Sequence, residues 1–161
     1  DPVPAAMARR RQWVRYSSRK VPLAVRGPKL VPASSTDPST WCTYLTARRS
    51  TVGAGLGFVL TREDRLVCID LDHALDEQGR PLPWAQRILG RVPRTYIEVS
   101  PSGRGLHIWG YGSVGRGRRM RRGEEAVEVY DWGRYITVTG RPFDGAPSKL
   151  ADLSDVIADL L

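Results

Sequence analysis

Two aspartates close an apolar run, Leu66-Val-Cys-Ile-Asp70-Leu-Asp72. In an extended chain side chains two apart point to the same face, so both carboxylates share one. Two like charges in a partly buried sheet repel, and dehydration adds to the cost unless a proton or a cation intervenes. A divalent ion that prefers oxygen ligands, magnesium or manganese, meets that need. Zinc would want His or Cys, and this chain has two of each. The plainer alternative is a pair of strand-end acids neutralised by arginines.

A second element is Ser100-Pro-Ser-Gly-Arg-Gly-Leu-His107. Gly103 and Gly105 permit a tight turn with exposed backbone N–H groups, Ser102 adds a hydroxyl, and Arg104 and His107 add donors, which outlines a phosphate cradle. Strand signals on both sides separate it from the phosphate loops that precede a helix. A polar hairpin loop is the alternative. In the third element, Ala126-Val-Glu-Val-Tyr-Asp131, Glu128 is an acid between valines that needs a partner, and Asp131 competes with it as third carboxylate. Asp131 precedes Trp132-Gly133 at a turn, where Asp is common for local reasons, which favours Glu128. Arg134 follows the turn, where it could reach a nucleotide phosphate or form a surface ion pair. Arg116, Arg118, Arg119, Arg121 and Arg122 crowd a segment that cannot enter a core, and it reads as a loop, either merely solvated or placed to hold a nucleic-acid backbone. His73 points away from both aspartates and reads as solvent-facing.

These residues need a scaffold. Residues 1 to 8 read as a loose leader, and the opening Asp1-Pro-Val-Pro4 lacks an initiator Met, as at the edge of a longer protein. Trp13 to Tyr16 suggest a strand. Pro22, Pro28, Pro32 and Pro38 make a loop of much of the next stretch. Asp37-Pro38 caps a predicted helix over 38–48, and Pro83 opens another with Trp84, Ile88 and Leu89 on one face. Residues 55–60 and 66–72 read as two antiparallel strands, the second central to its sheet. Further strands are predicted over 94–100, 106–110, 125–131 and 135–140, and a C-terminal helix capped by Ser148 carries Leu150, Leu153, Ile157 and Leu160. Strands interleaved with few helices predict an α+β fold with a mainly antiparallel sheet.

The 161 residues suit one domain with a real core, and 41% apolar with 26% charged excludes wholesale disorder. No run approaches the roughly 18 apolar residues of a membrane span, so a cytoplasmic protein without a membrane partner is expected. Cys42 and Cys68 are too few for a disulfide framework and read as reduced core thiols. The formal charge is +8, and 22 of the 25 basic residues are Arg, whose planar fork grips phosphates.

Taken in order, Asp-x-Asp on a strand, Ser-x-Gly-x-Gly-x-His, and apolar-Glu-apolar followed by Gly-Arg-Tyr-x-x-x-Thr-Gly140 resemble the primase-polymerase domain of phage and plasmid replication proteins, in the archaeo-eukaryotic primase superfamily. The resemblance runs from Trp13 through Arg-Lys-Val-Pro22 and Thr-Asp-Pro-Ser-Thr-Trp41 to Gly140. It implies an RRM-like sheet joined to an N-terminal α/β unit, forming one catalytic domain over 9–161. It also implies nucleotidyl transfer from dNTP or NTP onto a single-stranded or primed DNA template, in phage or plasmid DNA replication. By that resemblance Asp70, Asp72 and Glu128 bind two Mg²⁺ or Mn²⁺ ions and His107 meets the incoming nucleotide. Ser102, Gly103, Arg104, Gly105 and Arg134 orient its phosphates, and Arg116, Arg118, Arg119, Arg121 and Arg122 track DNA. Some relatives carry a zinc module or a fused helicase. Neither is found in these 161 residues, and a helicase domain or protein is among the expected partners. A metal-dependent nuclease or nickase is the rival enzyme, but a nickase wants a His-apolar-His pair that is missing. A non-catalytic RRM-like module would need no acids on its binding sheet.

Overall fold

The computed structural model describes residues 1–114, 118–122 and 125–161, with the side chains of 118–122 excepted. Four antiparallel pairings build a first sheet in the order β10 (Arg134–Val138), β4 (Gly55–Leu60), β1 (Trp13–Tyr16), β2 (Pro22–Ala24) and β3 (Val31–Pro32). The second runs β11 (Ala151–Asp152), β7 (Leu106–Tyr111), β5 (Leu66–Leu71), β9 (Glu125–Tyr130) and β8 (Arg118–Arg122), with β6 (Ile97–Val99) also on β7. Only β11 with β7 is parallel in these ladders. The helices are short: α1 (Ala5–Ala8), α2 (Tyr44–Arg49), α3 (Pro83–Leu89) and α4 (Ser154–Leu160). No helix among the described residues is long and apolar enough to cross a membrane. The expected α+β class with mainly antiparallel sheet is what is found.

Strand alternation divides the second sheet between two cores. Val67, Ile69 and Leu71 of β5 pack with Trp84, Ala85 and Ile88 of α3 and Val156 and Ile157 of α4. Leu66 and Cys68, on the opposite face, join Trp109 and Tyr130 against Trp13 and Phe58 of the first sheet. Phe58 meets Trp109 edge-on with ring centroids 5.9 Å apart. Asp70 and Asp72 continue the face of Leu66 and Cys68, so they emerge where the packing between the two sheets ends.

Several expectations give way. The 55–60 and 66–72 strands do not pair with each other. A turn closed by Arg65 in a left-handed conformation (φ 58°) carries the chain from one sheet to the other. Asp37 caps only a 3-10 turn, through Ser39, and α2 starts six residues later at Tyr44, under its own Thr43 cap. The extended Trp41 ends the turn, so the i, i+4 pattern of Trp41 and Leu45 spans two elements. Residues 1–8 do not form a loose leader: Val3 and Met7 enter the inter-sheet core, and the Trp13 indole donates to the Met7 carbonyl. Ser148 donates to the Pro2 carbonyl instead of capping, because the intervening Ala151 and Asp152 add a parallel strand to β7. The arginines of 118–122, read from sequence as a loop, lie on β8, an edge strand whose lack of apolar alternation hid it. Charge on an edge strand discourages unwanted pairing.

Candidate active site

The register of the second sheet puts five residues in one row: Glu98 opposite His107, His107 opposite Asp70, Asp70 opposite Glu128, and Glu128 opposite Arg119. Directly opposed residues of antiparallel strands face the same way, with Cβ atoms roughly 4.5–5.5 Å apart. Three residues singled out in the sequence, His107, Asp70 and Glu128, thus meet across three strands. Asp72 lies one pleat further on. Its N–H donates to the Ala126 carbonyl at 2.9 Å, which extends the ladder past Leu71 and sets Asp72 beside a small residue. Its carboxylate is half-exposed, 3.8 Å from Nε2 of the exposed His73.

Asp70 accepts no hydrogen bond and forms no ion pair on its side chain among the described residues. Burial pushes its pKa upward. The neighbouring His107 lowers it, Glu128 and Asp72 raise it, and Lys20 from the first-sheet side lowers it. Glu128 accepts a short hydrogen bond from the Tyr130 hydroxyl, and the guanidinium of Arg134 stacks 3.9 Å from the Tyr130 ring centroid. Arg134 thereby lies one side chain away from the acid row. Asp131, three residues beyond Glu128 and so turned from it, accepts from the Val114 amide at 2.9 Å and the Ser113 hydroxyl at 3.4 Å. These two bonds are long-range and not those of a local turn.

The loop over 100–105 stands at the Asp72 end of the row. Leu75 N–H donates to the Arg104 carbonyl at 2.9 Å, and a Cβ on Gly105 would come within 3.0 Å of the Leu71 carbonyl oxygen. The cradle of open amides expected there is not formed. Gly103 N–H donates to the Ser100 carbonyl, Arg104 N–H to the Ser102 hydroxyl, and Gly105 N–H to the Ser100 hydroxyl. Apart from the Ser102 amide, what remains for a ligand is side chain: exposed Ser102 and Arg104, the latter held by a 3.3 Å bond from Nε to the Leu75 carbonyl. Arg118, Arg119, Arg121 and Arg122 flank β9 on its far edge, and Arg116 lies outside the described residues.

One residue of the row was missed in the sequence. Glu98 is fully buried and accepts from His107, Tyr96, Thr139 and Gly140. An acid between Ile97 and Val99 is the signal that picked out Glu128, and it could have found Glu98.

Among the described residues, no three Asp, Glu, His or Cys side chains close on a point as a finished metal cage. The donor set still fits a hard divalent cation. It is all oxygen, and Asp70 is a largely buried carboxylate near two others with no ion pair of its own among the described residues. A mainly antiparallel α+β domain with three acids at the edge of its inter-sheet core is the class that fold and site define. No protein-family model matches the chain. In an alignment of 164 positions that covers 95% of the chain, it is 42% identical to the DNA primase-polymerase of Nitratiruptor phage NrS-1. That similarity supports a primase-polymerase-type domain, and the chain spans 22% of that relative's length.

Proposed function

We propose that this domain carries out template-directed nucleotidyl transfer, in which a 3′-hydroxyl attacks the α-phosphorus of a (d)NTP and pyrophosphate leaves. The observation that carries this reading is the opposition of Asp70 and Glu128, with Asp72 one pleat away. Asp70, Asp72 and Glu128 would hold two divalent ions, Mg²⁺ or Mn²⁺. When bound, such ions polarise the attacking hydroxyl and neutralise charge on the leaving oxygen. The chain's own residues do the rest. His107, beside Asp70, meets the triphosphate. Ser102 and Arg104 approach it from the Asp72 end through side chains, and Arg134 from the Tyr130 side. The basic edge strand β8 takes template or primer phosphates.

The likeness to a named DNA primase-polymerase supports DNA and nucleotides as substrates. Primer extension with purified domain, dNTPs and Mn²⁺ or Mg²⁺ tests the proposal. Extension that needs the divalent ion and is lost in Asp70→Asn is expected. Extension unchanged in that variant overturns it.

A further inference from the structure

Glu98 is wholly buried in a three-residue strand. A carboxylate removed from water is costly unless donors replace the lost hydration. Here they come from four places. Oε1 accepts from the Tyr96 hydroxyl at 2.9 Å and the Gly140 amide at 3.0 Å. Oε2 accepts from the Thr139 amide at 3.0 Å and pairs with His107 Nδ1 at 2.9 Å. With both oxygens already accepting from backbone, the imidazole is the donor and carries a proton on Nδ1.

The remaining features of the ring follow. His107 is 4% exposed, so it cannot turn to solvent for another partner. Nε2 makes no hydrogen bond among the described residues, and Asp70 is the register partner of His107 on the other side from Glu98. The Thr139-Gly140 pair, just beyond β10, gains a physical role as well. Gly140 takes a φ of 70°, and the two consecutive amides converge on one carboxylate. The carboxylate therefore ties the ring to the end of a first-sheet strand that begins with Arg134 and Tyr135.

We propose that Glu98 is the positioning residue for His107: it holds one ring proton on Nδ1, so that Nε2 faces the site and a second proton there, taken up with the nucleotide, donates to the phosphates bound beside Asp70. The inference rests on the nucleotidyl-transfer reading above. A carboxylate or carbonyl on one imidazole nitrogen sets what the other can do, and removing such a partner commonly costs 10- to 100-fold. Glutamine cannot replace Glu98. If its NH₂ faced the Oε2 position it would oppose the Thr139 amide, and at the Oε1 position it would oppose the Gly140 amide. The His107 tautomer and the Tyr96 hydroxyl can reverse direction, but those amides cannot.

The test begins with the unaltered protein. Long-range ¹H–¹⁵N correlation of its two histidines, assigned with His107→Ala, should show the His107 proton on Nδ1 in the nucleotide-free domain. A proton on Nε2 alone overturns the proposal. Glu98→Gln should alter that pattern and raise the KM for dNTP about tenfold or more, with a smaller change in kcat. Adding His107→Ala to it should change KM by less than about twofold, since both act through one ring. Penalties that multiply instead overturn the proposal. Where Glu98→Gln does not fold, Glu98→Asp takes its place in the same cycle, with the same criterion. Failure of the function reading looks different: extension persists in Asp70→Asn, while the ring pattern still reports the grip of Glu98.

Discussion

Asp70 and Glu128 face each other across β5 and β9, at the middle of the second sheet and at the edge of the core that joins it to the first. Each lies on the face of its strand that elsewhere packs Cys68 or Tyr130 inward. The same pleat that builds the core therefore delivers the acids to the surface where the core ends.

Neutralising an acid of this group should separate activity from stability. Asp70→Asn, Asp72→Asn and Glu128→Gln are each expected to lower primer extension about 100-fold or more, equivalent to roughly 2.7 kcal/mol of transition-state stabilisation. Because burial raises the Asp70 pKa, the ionised side chain disfavours the fold near neutral pH. Asp70→Asn should keep or raise Tm without metal, as thermal unfolding will show.

Metal addition should reverse that order. Millimolar Mn²⁺ or Mg²⁺ binding only the folded state raises Tm by mass action. The rise should occur in the unaltered domain, shrink strongly in Asp70→Asn, and vanish with excess chelator. Equal shifts in both proteins would remove Asp70 from the metal site.

The glycine loop offers a contrast between two single substitutions. Gly103 has φ 81° with no atom within 4 Å of an added Cβ, so Gly103→Ala costs only backbone strain, about 1 kcal/mol. Its amide is already used within the loop, and the KM for dNTP should change less than about threefold. A Cβ on Gly105 meets the Leu71 carbonyl oxygen and the Ser100 hydroxyl, both at 3.0 Å, beside the strand end that carries Asp72. Gly105→Ala should lower both Tm and kcat. Steady-state kinetics with thermal melts on the two variants will decide.

Alkaline pH should weaken the fold from about pH 9 upward. Burial, then Asp70 and Glu98, hold the Cys68 thiol well above its ordinary 9.0, and burial pushes Tyr135 up to about 12. The unfolded chain releases these protons first, so stability is full below about pH 9 and falls as pH rises through the range between unfolded and folded values. Cys68→Ala should flatten the first part of that fall, measured by denaturant midpoints between pH 8 and 11. The native thiol should also resist alkylation at pH 8.

Replacing Arg118, Arg119, Arg121 and Arg122 with glutamine should weaken binding of single-stranded DNA and flatten its salt dependence, by roughly 0.7 in log–log slope per lost phosphate contact. Binding titrations at several salt concentrations provide the measurement, and an unchanged slope would remove β8 from the DNA path.

Local chemistry and strand period were enough to place Asp70 and Asp72 on one face, to mark Glu128 as an acid in need of a partner, and to locate α3, since each depends on residues within a few positions of one another. The opposition of Asp70 and Glu128, the assignment of β4 and β5 to different sheets, and the engagement of Asp131 with Val114 depend on register between distant segments, which a one-residue slip would invert. The strand of arginines has no apolar alternation to announce it, and only its partner β9 makes it a strand. Glu98 carried a local signal, an acid between Ile97 and Val99, but its role lies in donors from β7 and from the segment just beyond β10, which meet only in the folded chain.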